Sequence, residues 1–301
     1  MAPPHVALVG SGAMGVGMGH RLLEAGHPVS VYNRTPGKAA ALVEAGARAL
    51  TTLEAAAEAP IVLLSLSDEM AVEQVLFQAM LPALREGTIV VDTTTTSPLY
   101  ARQAATRLSA AGLARVEACV LGNPVMAHTG KLRIFTAGSR KDVEAVGDLL
   151  GALGQEARYL GAAGAASTMK LAFNLLLGVQ TAALAEAVSY GVSAGLDRDL
   201  LIEAIANSGF SSPVLAFRAG FMRERRYEPA AFKTSLMEKD LRLAANDATA
   251  RGITLPLTEG AGDLMADAIA AGLGDQDAAV IIELPRRRLS ESERPENGVV
   301  R

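Results

Sequence analysis

The sequence has a single cysteine, Cys119, so an intrachain disulfide is excluded and a reducing compartment suits it. Its four histidines, His5, His20, His27 and His128, are scattered. No His/Cys cluster has metal-ligand spacing, so no metal is expected and the histidines read as structural or surface residues. A basic excess is also missing. The 28 Lys and Arg against 32 Asp and Glu give a net charge of −4. With no basic patch, nucleic acid is not an expected partner. Long apolar runs without polar interruption are absent as well. The longest apolar region, Leu171 to Leu196, contains Asn174, Gln180 and Glu186, and reads as a buried helix rather than a membrane span. The first apolar run begins at Val6, which leaves no room for a signal peptide. The resulting expectation is a cytoplasmic protein with no membrane or nucleic-acid partner.

Half of the 301 residues are apolar, enough for a sizeable core, and the length suggests two domains. The most informative stretch runs from Val6 to Lys38. An apolar run, Val6 to Val9, leads into Gly10, Gly12 and Gly15 in G-x-G-x-x-G spacing. A helix over about Ala13 to Ala25 and a second strand, Val29 to Tyr32, are predicted next. In that context each glycine has a physical reason. The first allows a tight turn, the second lets backbone approach a pyrophosphate, and the third lets the helix pack on the strand. The pyrophosphate would lie on the free N–H groups of the helix N-terminus. A dinucleotide with an unmodified ribose is usually held by Asp or Glu after the second strand. Here Asn33-Arg34-Thr35 stands there. Arg34 can pair with a 2′-phosphate and Thr35 can donate to it, so the residues favour NADPH over NADH.

The pattern then alternates. Helices are predicted over about Pro36 to Ala45, Leu53 to Ala57, Glu69 to Met80, Ser97 to Ala111 and Lys141 to Leu150. Strands are predicted near Arg48 to Leu50, Ile61 to Ser65, Thr88 to Asp92, Ala114 to Val120, Leu132 to Thr136 and Ala157 to Leu160. Leu121-Gly122-Asn123-Pro124 reads as a break. Alternation of this kind implies an α/β fold with a mainly parallel, doubly wound sheet of Rossmann type. Ligands of such sheets bind beyond the carboxyl ends of the strands, which places the exit loops Leu66-Ser67 and Thr93 to Thr96 beside the cofactor.

Gly161 and Gly164 suggest a boundary, giving a cofactor-binding domain over 1–162 and an all-helical C-terminal domain over 163–284. The charged tail 285–301 reads as disordered. A helix from Ala165 to about Gly195 would be roughly 45 Å long at ~1.5 Å per residue. It is apolar on nearly every face, so helices of more than one chain are expected to wrap it.

Lys170 and Asn174 are polar residues in that apolar helix. They lie four apart and share one face. Burying them without partners would cost on the order of several kcal/mol. Spacing alone leaves two readings open. Lys170 serves the oxygen of a reacting carbonyl, or it reaches solvent while Asn174 caps a nearby loop.

The chain resembles the β-hydroxyacid dehydrogenase (3-hydroxyisobutyrate dehydrogenase-like) family over about residues 5 to 284. Within that family it is similar to the NADPH-using glyoxylate/succinic semialdehyde reductase branch. The resemblance rests on Gly10-Ser11-Gly12-Ala13-Met14-Gly15, Asn33-Arg34-Thr35, Asp92 with Thr94-Thr95, Gly161 to Gly164, Lys170 with Asn174, and Glu238-Lys239-Asp240-Leu241. It implies that Lys170 is the catalytic acid, that Asn174 helps to hold the substrate, and that Thr95, Phe232 and Lys239 line the cofactor or the cleft. It also implies a small-molecule carbonyl substrate and a homodimer or larger homo-oligomer.

Two departures stand out. The family's Ser-Gly-Gly turn, which grips the substrate carboxylate, is here Leu121-Gly122-Asn123. Leu121 brings no hydroxyl, leaving backbone N–H groups at Gly122 and Asn123. Phe173 stands where a second asparagine is common and makes that end of the site less polar. Cys119 reads as core filler, because the charge of Glu117 two residues away disfavours a thiolate. The weakened grip admits an imine reductase as a rival reading, although Lys170 is retained. A non-catalytic NADP-binding protein is a further alternative, and it would need neither Lys170 nor Asn174.

Overall fold

The computed structural model describes residues 3–284; the tail expected to be disordered, 285–301, lies outside the described residues. In chain order the first half comprises β1 (Val6–Val9), α1 (Ala13–Glu24), β2 (Val29–Tyr32), α2 (Ala40–Glu44), β3 (Arg48–Ala49), β4 (Ile61–Leu64), α3 (Glu69–Val72), β5 (Ile89–Asp92) and α4 (Pro98–Ala110). Then come β6 (Ala114–Leu121), α5 (Pro124–His128), β7 (Leu132–Ala137), α6 (Arg140–Ala145), α7 (Gly147–Leu153) and β8 (Gly154–Tyr159). The remainder is helical: α8 (Ala165–Ser193), α9 (Arg198–Ala206), α10 (Pro213–Glu224), α11 (Thr234–Ala250) and α12 (Pro256–Ala270), ending in a 3₁₀ turn over Ala278–Glu283.

The strands form one sheet in the order β3-β2-β1-β4-β5-β6-β7-β8. All neighbours are parallel except β6 and β7, which run antiparallel. Strand order reverses between β1 and β4, and a crevice at that switch point is where doubly wound sheets take ligands. The central strands β1 and β4 are buried along their whole length, as near-continuous apolar runs in a sheet covered on both faces should be. One face is covered by a core containing Leu8, Met18, Leu22, Leu63 and Ile134; the other by one containing Val62, Leu64, Leu76, Met80 and Leu108.

Several expected elements differ in detail. The helix expected over Pro36 to Ala45 opens as a 3₁₀ turn, Pro36–Ala39, before α2 begins. The small helix near Leu53 is also a 3₁₀ turn, Glu54–Glu58. The helix expected over Glu69 to Met80 is α-helical only through Val72 and continues with wider π turns over Glu73–Met80. The helix expected over Lys141 to Leu150 is two, α6 and α7, parted at Val146. Strand β8 starts at Gly154, earlier than expected, and the break at Pro124 is a short helix, α5.

The chain forms two compact units by packing. The first runs to Gly178 and takes in Leu236–Gly262; the second holds Val179–Ser235 and the described residues from Asp263. Within the first unit, a Cβ on Gly178 would lie 2.8 Å from Leu241 Cδ2, so the glycine permits close packing of α8 and α11. α8 is long and apolar enough to cross a membrane by composition. Its first half is nevertheless tied by polar contacts to the sheet and to α11. Within the second unit, Asp277 accepts hydrogen bonds from Arg218 and from the N–H groups of Ala231 and Phe232.

Candidate active site

The glycine turn between β1 and α1 has the geometry its spacing predicts. Gly10 sits at φ +101°, where a Cβ would lie 2.2 Å from the Ser65 carbonyl oxygen. A Cβ on Gly15 would lie 2.1 Å from the Gly10 oxygen, so this glycine lets α1 close onto the turn. Gly12 differs: nothing lies within 4 Å of its hypothetical Cβ. That open space leaves room for a close approach to the backbone, as a pyrophosphate would need. Gly12 caps α1 without a side chain, leaving the helix's first N–H groups to a ligand. Ala13 is exposed, Met14 is half-buried, and the Ser11 hydroxyl is buried with no partner among the described residues. These features fit a dinucleotide phosphate.

Asn33 joins this turn to the end of β2. Its Oδ1 accepts from the Ser11 N–H at 3.1 Å, and its Nδ2 donates to the Thr35 carbonyl at 2.9 Å. Arg34 and Thr35 are exposed, and no ion pair of Arg34 occurs among the described residues. The guanidinium is thus available for an anionic group. The exit loops of β4 and β5 are bonded to each other. The Leu66 N–H donates to Thr94 Oγ1 at 3.3 Å, and the Thr93 hydroxyl donates to the Leu64 carbonyl at 2.6 Å. Ser67 is exposed beside them and donates to Asp68, whose side chain caps α3.

The polar residues singled out on α8 and α11 gather beyond β5 and β6. Lys170 Nζ donates to the Val120 carbonyl at 2.9 Å. One turn further along α8, the buried Asn174 donates its amide to Asp240 on α11. Lys239 donates to the Thr95 carbonyl at 2.7 Å and lies 3.0 Å from Asp240 Oδ1. Burial pushes the Lys170 ammonium below the ordinary lysine range. The charge of Asp240 opposes that shift and the charge of Lys239 adds to it. An ammonium held this way is a stronger acid than a lysine in water and rests on a neutral acceptor. Phe232, expected to line the site, belongs to the second compact unit, and its role there stays an expectation.

Leu121 ends β6, half-buried. Gly122 sits at φ +145°, and a Cβ there would lie 2.7 Å from Leu132 Cδ2. The Asn123 side chain is committed: its Oδ1 accepts from the Met126 N–H at 2.9 Å and caps α5. Asn-Pro is a cap followed by a first-turn proline, a signal the sequence carried. Leu121 and Gly122 bring no side-chain donor for a carboxylate; the Asn123 Nδ2 amide still carries one. Phe173 is exposed and stacks on Phe135 with ring centroids 5.7 Å apart. Burial, with the charge of Glu117, pushes the Cys119 thiol up to about 12, as core filler should be.

Sequence reading missed a buried charge network. Arg115 Nη2 donates to Asp92 at 2.8 Å, and Arg115 Nη1 lies 3.6 Å from Glu117. Glu117 in turn accepts from the N–H groups of Gly164 and Ser167 and from the Ser167 hydroxyl. Arg115 and Glu117, alternating with apolar residues in a buried strand, were the available signal.

Residues 5–161 match the family described as the NAD binding domain of 6-phosphogluconate dehydrogenase. Residues 164–284 match the one described as NAD-binding of NADP-dependent 3-hydroxyisobutyrate dehydrogenase. The "Uncharacterized oxidoreductase YfjR" of Bacillus subtilis (strain 168) is 35% identical, over 92% of this chain and 98% of its own length. Glyoxylate/succinic semialdehyde reductase 1 of Arabidopsis thaliana is 29% identical, over 92% of this chain and 97% of its own. Among solved structures, 3-hydroxyisobutyrate dehydrogenase (ygbJ) from Salmonella typhimurium superposes with a TM-score of 0.87 at 28% identity. That match covers 93% of this chain and 99% of the other.

Proposed function

Because this chain belongs to the β-hydroxyacid dehydrogenase family of NAD(P)-dependent oxidoreductases, we propose that it reduces a small aldehyde or keto acid of the glyoxylate or succinic semialdehyde kind, with NADPH as reductant and Lys170 as general acid. When bound, the nicotinamide cofactor supplies the hydride that reaches the carbonyl carbon. The glycine turn from Gly10 to Gly15 would hold its pyrophosphate, and Asn33, Arg34 and Thr35 its phosphorylated ribose. Leu66, Ser67, Thr95 and Lys239 would border the remainder. The absence of a carboxylate after β2 supports NADPH, since an acidic residue there would repel the 2′-phosphate.

One observation carries the chemistry: a lysine ammonium on α8, depressed in pKa by burial, resting on the Val120 carbonyl. A substrate oxygen that replaces that carbonyl as acceptor receives the same hydrogen bond. As negative charge builds on the oxygen, the ammonium stabilises it and then transfers its proton. Asn174 is fixed by Asp240, and Asp240 by Lys239, so the substrate meets an arrangement that does not reorganise.

The test is NADPH and NADH oxidation against a panel of aldehydes, keto acids, neutral ketones and cyclic imines. The reading requires carbonyl turnover with a preference for NADPH, and Arg34→Asp should erase that preference. Turnover of imines alone, or equal use of both cofactors by the parent, would contradict it.

A further inference from the structure

Lys170 can act as an acid only if α8 delivers its ammonium to one place, and the sequence around that helix start lacks the usual means of fixing it. Gly164, at the N-cap, has no side chain to accept from the free N–H groups of the first turn. It could not carry one: at φ +94°, a Cβ would lie 2.9 Å from both the Pro98 carbonyl oxygen and Arg102 Nη1. The missing acceptor comes from the sheet. Both oxygens of Glu117 on β6 are used. Oε1 accepts from the Gly164 N–H, and Oε2 accepts from the Ser167 N–H at 3.1 Å and the Ser167 hydroxyl at 3.0 Å.

The same strand receives Lys170. Glu117 and Val120 lie three apart on β6, as Ser167 and Lys170 do on α8; Glu117 holds Ser167 and Val120 holds Lys170. Ser167, Lys170 and Asn174 share a helix face, so fixing Ser167 fixes the height and rotation of the other two. The Glu117 carboxylate is favoured where it stands by the helix N-terminus and by Arg115. Arg115 is itself held by Asp92 and by the Ala101 carbonyl. The anchor therefore runs back to β5, the strand whose exit loop holds Lys239 through Thr95.

We propose that Glu117, working through Ser167, is the positioning residue of this site: it caps α8 from strand β6 and thereby holds the Lys170 ammonium against the Val120 carbonyl. This rests on the reading of Lys170 as proton donor for its functional meaning, but the placement itself can be measured separately.

The experiment is an NMR titration of the protein carrying ¹³C-labelled lysine, with the Lys170 signal identified by its loss in Lys170→Ala. The charged or titratable neighbours of Lys170 are Asp240 and Lys239 on α11 and Cys119 on β6, and all remain in place in the variants. In Glu117→Gln, a helix start that has lost its anchor should let the ammonium out of its dry position, and the midpoint should rise by ~1 pH unit. The loss of a nearby negative charge would alone move it down, so the sign separates positioning from a through-space effect. kcat should fall about 10- to 100-fold, as misplacement of a reacting group does, while the NADPH Kd stays within about twofold because the cofactor residues are untouched. Ser167→Ala removes one of the three bonds and should move the midpoint the same way by less. It decides the question if Glu117→Gln does not fold. An unchanged or lowered Lys170 midpoint would overturn the proposal. Full activity in Lys170→Ala would instead refute the proton-donor reading, while the midpoint in Glu117→Gln would still settle whether Glu117 places the ammonium.

Discussion

At the scale of single residues, the proposed site rests on three side chains. Lys170 is an ammonium made more acidic by burial, Asn174 an amide already committed to Asp240, and Leu121 an apolar residue where the family has a hydroxyl. The last is directly testable. Leu121→Ser restores a donor beside Gly122, and a hydrogen bond to a charged group is worth about 1.5–3 kcal/mol. kcat/KM for glyoxylate or succinic semialdehyde should rise roughly tenfold or more, with little change for a neutral aldehyde. Equal effects on both would mean that this loop does not meet the carboxylate. Lys170 and Asn174 were legible as a pair because polar residues four apart in an apolar helix need a reason. Glu117 was legible only as a charge in a buried strand; its partner on a helix 50 residues away leaves no trace in local spacing.

At the scale of elements, the glycine turn separates function from folding. Gly12→Ala adds a methyl group in open space at φ −68°, a conformation alanine adopts freely. The fold should be unharmed or stabilised by about 0.4–1 kcal/mol through the unfolded chain, yet NADPH binding should weaken because the methyl occupies the pyrophosphate's approach. Gly15→Ala puts a methyl 2.1 Å from the Gly10 oxygen and should lower the melting temperature as well. Calorimetry beside fluorescence titration checks both; a Gly12→Ala protein with parental NADPH affinity would remove the phosphate from this turn. Strands and their order of appearance were readable because buried parallel strands are apolar runs between turn residues. The π turns over Glu73–Met80 and the cap at Asn123 were less so. The first coincides with tertiary contacts that local spacing does not show: Arg107 pairs with Glu73 and lies over the Phe77 ring. The second was read as part of a ligand loop and is also the start of a helix.

At the scale of the whole molecule, the second compact unit leaves large apolar side chains uncovered: Tyr190, Leu196, Leu200 and Phe210, the last at 95% exposure. Exposed apolar surface of this kind favours association, and light scattering at micromolar concentration should give a dimer or larger. A stable monomer would refute that expectation.

The proposed chemistry turns on the proton that Lys170 gives. Single-turnover transfer from NADPH to the preferred carbonyl substrate, compared between the parent and Lys170→Ala, isolates the chemical step from binding and product release. General-acid catalysis is worth about 10²–10⁴-fold, so the variant should lose at least ~100-fold in that rate while its NADPH affinity stays near that of the parent. A loss of only about threefold would fall far below that range and contradict the assignment of Lys170.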